Sequence, residues 1–247
     1  MDAVATPVHA PLNELLHLAD NALVLGQRNA EWCGNGPVLE EDIALANMSL
    51  DLIGQARMLY QHAAVVAGGG ATEDSLAYFR DAADFRNFTL LELPHTSAAS
   101  ERDYAVTIVR NFLYSAFMLL QWEALQASSD AQLAGIAAKS LKEVRYHFRH
   151  SRDWLIRLGD GTAESHQRTQ AALNQLMPYT AEFWADAAPL RTRWDEEVND
   201  ALDEAGLRRP PPGAASPQGK TGQHSPHLAS LLSEMQSLAR AHPKAQW

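Results

Sequence analysis

From Ala10 to Pro94, and again from Glu101 to Trp184, apolar residues recur every three or four positions with few breakers, and no stretch alternates as a strand would. That period places apolar side chains along one side of an α-helix. The chain is therefore restricted to an all-α fold. With 247 residues, 46% of them hydrophobic, it can bury a substantial core as one domain spanning 1–247.

The helix boundaries follow from capping and breaking residues. A first helix runs from about Leu12 to Trp32, with Leu15, Leu16, Ala19, Ala22, Leu23 and Gly26 on one apolar face, and Gly34-Asn35-Gly36-Pro37 ends it. A second runs from about Glu40 to Ala67. Its first turn carries Glu40, Glu41 and Asp42, where the helix dipole favours negative charge, and Gly68-Gly69-Gly70 stops it. Thr72 is a suitable N-cap for a shorter third helix through about Phe85, after which Phe88 to Leu93 leads into Pro94. The fourth, about Glu101 to Gln126, is apolar on nearly every face and belongs at the centre. The fifth runs from about Asp130 to Leu158. The four long helices form a core bundle over about 12–158. A helical extension over about 163–205 contains Pro178, which should kink or divide its first helix, and a second helix from Arg193 to Glu204. Residues 206–226, rich in Pro, Gly, Ser and Gln, read as a loop. A C-terminal helix over 227–241 carries Leu228, Leu231, Leu232, Met235 and Leu238 on one face, which must be covered.

Composition removes several function classes. A net charge of −10 and a pI near 5.4, with no basic stripe apparent in the sequence, disfavour nucleic-acid binding. The longest apolar stretch, Phe112 to Trp122, falls short of the ~20 residues of a membrane span. The N-terminus lacks a basic region before an apolar block, so no secretory signal is expected. The single cysteine, Cys33, rules out an internal disulfide and fits a cytoplasmic location. With no activating base beside it, Cys33 reads as a small packed residue.

Metal chemistry is the remaining candidate. Carboxylate-bridged di-iron bundles take Glu-x-x-His from each of two helices and one further Glu from each of two others. Here Glu143 and His147 are four apart with Tyr146 at the i+3 position, and the second long helix offers Leu52-Ile53-Gly54-Gln55. Glu143 and His147, on one face with His150, therefore read as a hydrogen-bonded structural pair. Asp51 and Glu123 should face inward toward donors drawn from Arg57, Lys139, Lys142 and Arg145, a salt-bridged core in place of iron. Glu14-Leu15-Leu16-His17 and Glu92-Leu93-Pro94-His95 match the motif literally, but the first opens a helix and the second holds Pro94. His224 and His227 offer two ligands and no third. No metal, cofactor or catalytic residue is assigned to this chain.

Asp20-Asn21-Ala22-Leu23-Val24-Leu25, Glu31-Trp32-Cys33-Gly34, Ile43-Ala44-Leu45-Ala46-Asn47 and Leu50-Asp51-Leu52-Ile53-Gly54-Gln55-Ala56-Arg57 resemble the ferritin-like structural subunits of bacterial phenylacetyl-CoA epoxidases, the PaaC-type family. So do Lys142-Glu143-Val144-Arg145-Tyr146-His147, Gly222-Gln223-His224, His227-Leu228, Glu234-Met235-Gln236 and Gln246-Trp247. The resemblance implies a ferritin-like four-helix bundle with additional C-terminal helices. It implies a non-catalytic subunit of a multicomponent monooxygenase that epoxidises phenylacetyl-CoA in aerobic phenylacetate degradation. The partner would be a catalytic di-iron bundle subunit, in a doubled heterodimer, with a separate flavin and iron–sulfur reductase among the other components. The alternative is an independent di-iron or di-manganese oxidase using Glu31, Glu123, Glu143 and His147. Leu16, Leu23, Ile53 and Tyr60, on the first two helices, are the expected anchors for a partner.

Overall fold

The computed structural model describes residues 8–97, 102–211, 213 and 217–245. Glu101, where the fourth helix is expected to begin, and Gln246 and Trp247, part of the resemblance, lie outside them. The four long helices are α1 (Leu12–Ala30), α2 (Leu39–Ala67), α5 (Tyr104–Leu125) and α6 (Ala131–Gly159). Between α2 and α5 lie two short helices, α3 (Glu73–Tyr78) and α4 (Thr89–Glu92). α2 ends on Gly68, whose φ of 65° only glycine adopts readily. Asp103 and Asp130 cap α5 and α6 with their side chains.

Contacts fix the topology. Gly26 lies against Leu52 while Asp20 reaches Tyr60, so α1 and α2 are antiparallel. A Cβ at Gly26 would stand 3.3 Å from both Ile53 Cγ1 and Leu52 Cβ, and the bare α-carbon lets the two helices approach closely. Asn29 pairs with Asn111 and Trp32 with Thr107, so α5 is antiparallel to α1. The Tyr104–Trp154 and Phe112–Phe148 ring contacts make α6 antiparallel to α5. Hence α2 and α5 run parallel, and residues 68–103 form the single long crossover between them.

One prominent expectation is corrected. The sequence assigns α1 one apolar face, yet every residue from Leu15 to Gly26 is buried, so α1 shares the centre of the bundle with α5. That placement buries Asp20, Asn21, Arg28 and Asn29 along with the leucines. Each then needs a partner inside the protein.

The third helix stops at Tyr78, short of Phe85. Thr72 and Ser75 form the capping box at its start. At its end Arg80 turns inward and donates from Nε to the Leu76 carbonyl at 2.6 Å and from Nη1 to that of Asp84 at 2.9 Å, filling acceptors a continued helix would have used.

Beyond the bundle lie α7 (Ala163–Leu176), α8 (Trp184–Ala187) and α9 (Arg191–Glu204). α7 gives way at Met177–Phe183 to a 3-10 helix that contains Pro178, the division the proline predicts. The stretch 206–226 is a loop only in part. Gly219 N donates to Thr89 Oγ1, Lys220 N to Glu182 Oε1 and Ser225 N to Glu92 Oε1, so its second half is tied to α4 and to the 3-10 segment. A Cβ at Gly219 would collide with the Asn87 carbonyl, which no other residue could tolerate unmoved. Two helices close the chain, α10 (Pro226–Met235) and α11 (Ser237–Ala241). Leu228, Leu231 and Leu232 are buried, but Leu238 is exposed and leaves the expected stripe. The break falls at Gln236, whose side-chain amide donates to the Ala77 and Arg80 carbonyls.

Candidate functional site

Among the described residues, the bundle does not gather the donors of a di-iron site. On α2, Leu52 is buried among apolar groups, and Gln55 Nε2 donates to Glu143 Oε2 at 2.8 Å. On α6, Tyr146 is exposed. Glu143 and His147 are not paired with each other, as the sequence suggested. His147 Nε2 instead meets Asp51 Oδ2 at 3.0 Å, and His150 Nε2 meets Glu41 Oε2 at 2.8 Å, which Tyr104 Oη also reaches at 2.6 Å. The result is a polar ladder across the α2–α6 seam. Glu143 and His147, one turn apart on α6, face Gln55 and Asp51, one turn apart on antiparallel α2, and His150 reaches Glu41 nearer the start of α2.

The expected cationic donors are also corrected. Asp51 is held by His147, and Glu123 by Arg193 at 3.2 Å on the surface, while Arg57 pairs with Glu73. Glu31 accepts from Arg28 Nη1 at 2.6 Å. Glu31, Glu123, Glu143 and His147, the set of the alternative reading, thus lie in separate contacts.

The two literal Glu-x-x-His matches have different fates. His17 Nδ1 donates to the Arg86 carbonyl at 2.6 Å, which leaves Nε2 to accept from Asn21 Nδ2 at 3.2 Å. Its lone pair is engaged. Burial, and then the charge of Lys220, push its pKa down to about 3, so it is neutral. His95 Nε2 donates to the Arg28 carbonyl, and its Nδ1 accepts from Thr107 Oγ1 at 2.6 Å. Burial and the neighbouring Arg110 lower its pKa as well. Glu92, fully buried, turns to the C-terminal segment and accepts from Ser225 N at 2.6 Å, His224 Nδ1 at 2.9 Å and Asn87 Nδ2 at 3.3 Å.

His224 is a latch that sequence reasoning weighed only as a metal ligand beside His227, which lies exposed on α10. Its Nδ1 faces a carboxylate oxygen and its Nε2 faces the Phe85 carbonyl at 3.0 Å. Both partners only accept, so both ring nitrogens donate and the ring is an imidazolium. Burial opposes the charge, but the hydrogen bonds to Glu92 and Phe85 and the pull of Glu92 and Glu182 outweigh it and raise the pKa above the ordinary histidine value. The contribution to stability is therefore complete below about pH 6.5, the unfolded value, and is lost as pH rises through the raised folded value. His224→Gln should cost about 1–3 kcal/mol at pH 6 and flatten the decline in stability above neutrality. Urea unfolding at several pH values checks this, and equal slopes for the two proteins would refute it.

Outside the core, α2 exposes Leu39, Ile43, Leu50 and Ile53 at helical spacing on one face, Leu39 at 72% and Leu50 at 67%. Beside it across the polar seam, α6 exposes Lys139, Lys142, Arg145 and Arg149 around Tyr146. A basic stripe therefore exists after all, on a chain whose net charge is −10. Of the anchors expected from sequence, only Ile53 is exposed. Leu16, Leu23 and Tyr60 are buried within the chain itself.

Four long helices with a single crossover between parallel second and third members define a ferritin-like bundle. The chain belongs to the phenylacetic acid catabolic protein family, whose model matches residues 3–247. It is similar to the C component of 1,2-phenylacetyl-CoA epoxidase from Escherichia coli (strain K12), with 44% identity across 94% of this chain and 97% of that one.

Proposed function

We propose that this chain is a structural, non-catalytic subunit of a cytoplasmic phenylacetyl-CoA ring epoxidase, the monooxygenase of aerobic phenylacetate degradation. It pairs with a catalytic di-iron bundle subunit in a doubled heterodimer, and a reductase delivers electrons to that partner. The observation that carries the reading is the use made of the ligand positions: Leu52 contributes to the core, and the Gln55 amide is spent on Glu143. These residues do not fit a di-iron centre. Leucine has no donor atom, and an amide is a poor substitute for imidazole or carboxylate. What remains is a rigid bundle with a long apolar face on α2, suited to covering a second bundle. Among the described residues no helix is long and apolar enough to cross a membrane, which suits that role.

Two measurements test the proposal. The chain expressed alone in iron-rich medium should carry no stoichiometric iron by elemental analysis. Mixed with the di-iron subunit at micromolar concentration, it should elute as one complex from a sizing column, and omitting it should abolish epoxidation. Two irons per chain would establish the independent oxidase instead, and full activity of the catalytic subunit alone would remove the structural role.

A further inference from the structure

Histidines paired with one carboxylate occur several times in this protein, at His147–Asp51, His150–Glu41 and His224–Glu92. At one place, among the described residues, two imidazoles converge on a single carboxylate: His9, His62 and Asp130 bring their ligating atoms within 4.8 Å of one another. The three come from distant parts of the chain. His9 precedes α1, His62 lies on α2, and Asp130 is the N-cap of α6.

The carboxylate is held ready. Asp130 Oδ1 accepts from Gln132 N at 3.0 Å and Leu133 N at 3.1 Å, which fixes the group against the start of α6 and directs Oδ2 away from the helix. Oδ2 accepts from His62 Nε2 at 2.6 Å and from Ala10 N at 2.7 Å. The Ala10 contact anchors the backbone next to His9 and sets its ring edge-on to that of His62, with centroids 5.5 Å apart. His62 and Asp130 side chains are 4% and 2% exposed, whereas that of His9 is 40% exposed. The cluster therefore has two rigid buried donors and one donor open to solvent, through which an ion could enter.

His9 Nδ1 stands 4.0 Å from Asp130 Oδ2, beyond hydrogen-bond range. Two donors each roughly 2.0–2.2 Å from a zinc ion can be up to about 4 Å apart. We propose that His9, His62 and Asp130 form a site for a zinc-like divalent transition metal that clamps the segment before α1 to the starting turn of α6. The ion takes the place of the proton between His62 Nε2 and Asp130 Oδ2, and that proton passes to solvent or to Nδ1 of the same ring. The two atoms separate to roughly 3.3 Å, the edge of a tetrahedron with such bonds. Ala10 N–H remains on Oδ2 as the outer hydrogen bond that orients the carboxylate. Water from the exposed side completes four-coordination. Two nitrogens and one oxygen suit Zn²⁺ over Mg²⁺ or Ca²⁺, which prefer all-oxygen shells.

The test uses the tag-free full-length chain carrying Cys33→Ser, since Cys33 is exposed and could bind metal itself. After chelator treatment it is titrated with Zn²⁺ by calorimetry, and with Co²⁺ to read the d–d absorption of a tetrahedral site. One equivalent should bind, and thermal unfolding should shift upward in Zn²⁺ but not in Mg²⁺. His9→Ala, whose side chain is half exposed and whose loss should leave the fold intact, should weaken binding by more than the roughly 10–100-fold that losing an outer-shell partner brings. His62→Gln should do the same. Absence of Zn²⁺ binding in the parent chain would overturn the proposal. So would binding of unchanged affinity in both variants, which would place the ion elsewhere.

Discussion

Replacing Asp20 with alanine should destabilise the protein by about 3–5 kcal/mol, the loss seen when one member of a buried ion pair is removed. Asp20 is fully buried in α1 and gathers donors from three directions: Tyr60 Oη at 2.5 Å, both terminal nitrogens of Arg80, and the backbone N–H of Arg86 at 2.7 Å. Burial and then the Asp20 charge raise the Tyr60 pKa well above the ordinary tyrosine value, so its hydroxyl stays a donor to the carboxylate at pH 7. Burial disfavours the charge on Arg80, but Asp20 more than compensates and raises its pKa. Without the carboxylate, a guanidinium whose side chain is only 13% exposed is left against the rings of Tyr60 and Phe85. The crossover would lose the contact that turns Arg80 inward. Asp20→Asn should recover part of the loss through hydrogen bonding. Urea unfolding at pH 7 measures the effect, and a loss below about 1 kcal/mol, the worth of an exposed ion pair, would show that Arg80 finds water or another acceptor.

Asp20 also shows where a sequence stops being legible. The long helices, the glycine stop after Ala67, the cap at Thr72 and the break at Pro178 depend on neighbours in the chain, and local spacing reveals them. The polar interior depends on partners far apart. Asp20 meets Tyr60 across the α1–α2 packing, and Glu92 meets His224 through a loop whose composition suggests no ordered role. One signal was available. A helix apolar on every side that nonetheless carries Asp20, Asn21 and Arg28 must lie at the centre with each polar group satisfied. An α1 with a single apolar face carries no such requirement and leaves Leu16 and Leu23 free as interface anchors, whereas a central α1 buries both. The absence of a di-iron ligand pattern on α2 was visible because the motif is local. That Glu143 and His147 would turn to Gln55 and Asp51, and not to each other, required the antiparallel register of α2 and α6.

The second large effect concerns assembly. Leu39, Ile43, Leu50 and Ile53 leave an apolar ridge on α2 facing solvent, although the rest of the helix packs on α1 and α6. Burying one such side chain is worth roughly 1.5–3 kcal/mol, and obligate complexes commonly cover about 2,000 Å² or more in total. A ridge of this kind, flanked by Lys139, Lys142, Arg145 and Arg149, suits a partner bundle that presents apolar residues edged with carboxylates. Ile43→Glu combined with Leu50→Glu should therefore abolish co-elution with the di-iron subunit and, with it, epoxidation. The isolated chain should keep its stability within about 0.5 kcal/mol, as exposed substitutions do. Leu238→Glu changes an exposed leucine on α11 that is not part of the α2 ridge, and should leave the complex intact. Sizing chromatography of the three proteins with the catalytic subunit, alongside their unfolding curves, separates the outcomes. A double variant that still co-elutes and supports full activity would move the interface off α2, whereas one that unfolds would show that Ile43 and Leu50 serve the fold before they serve a partner.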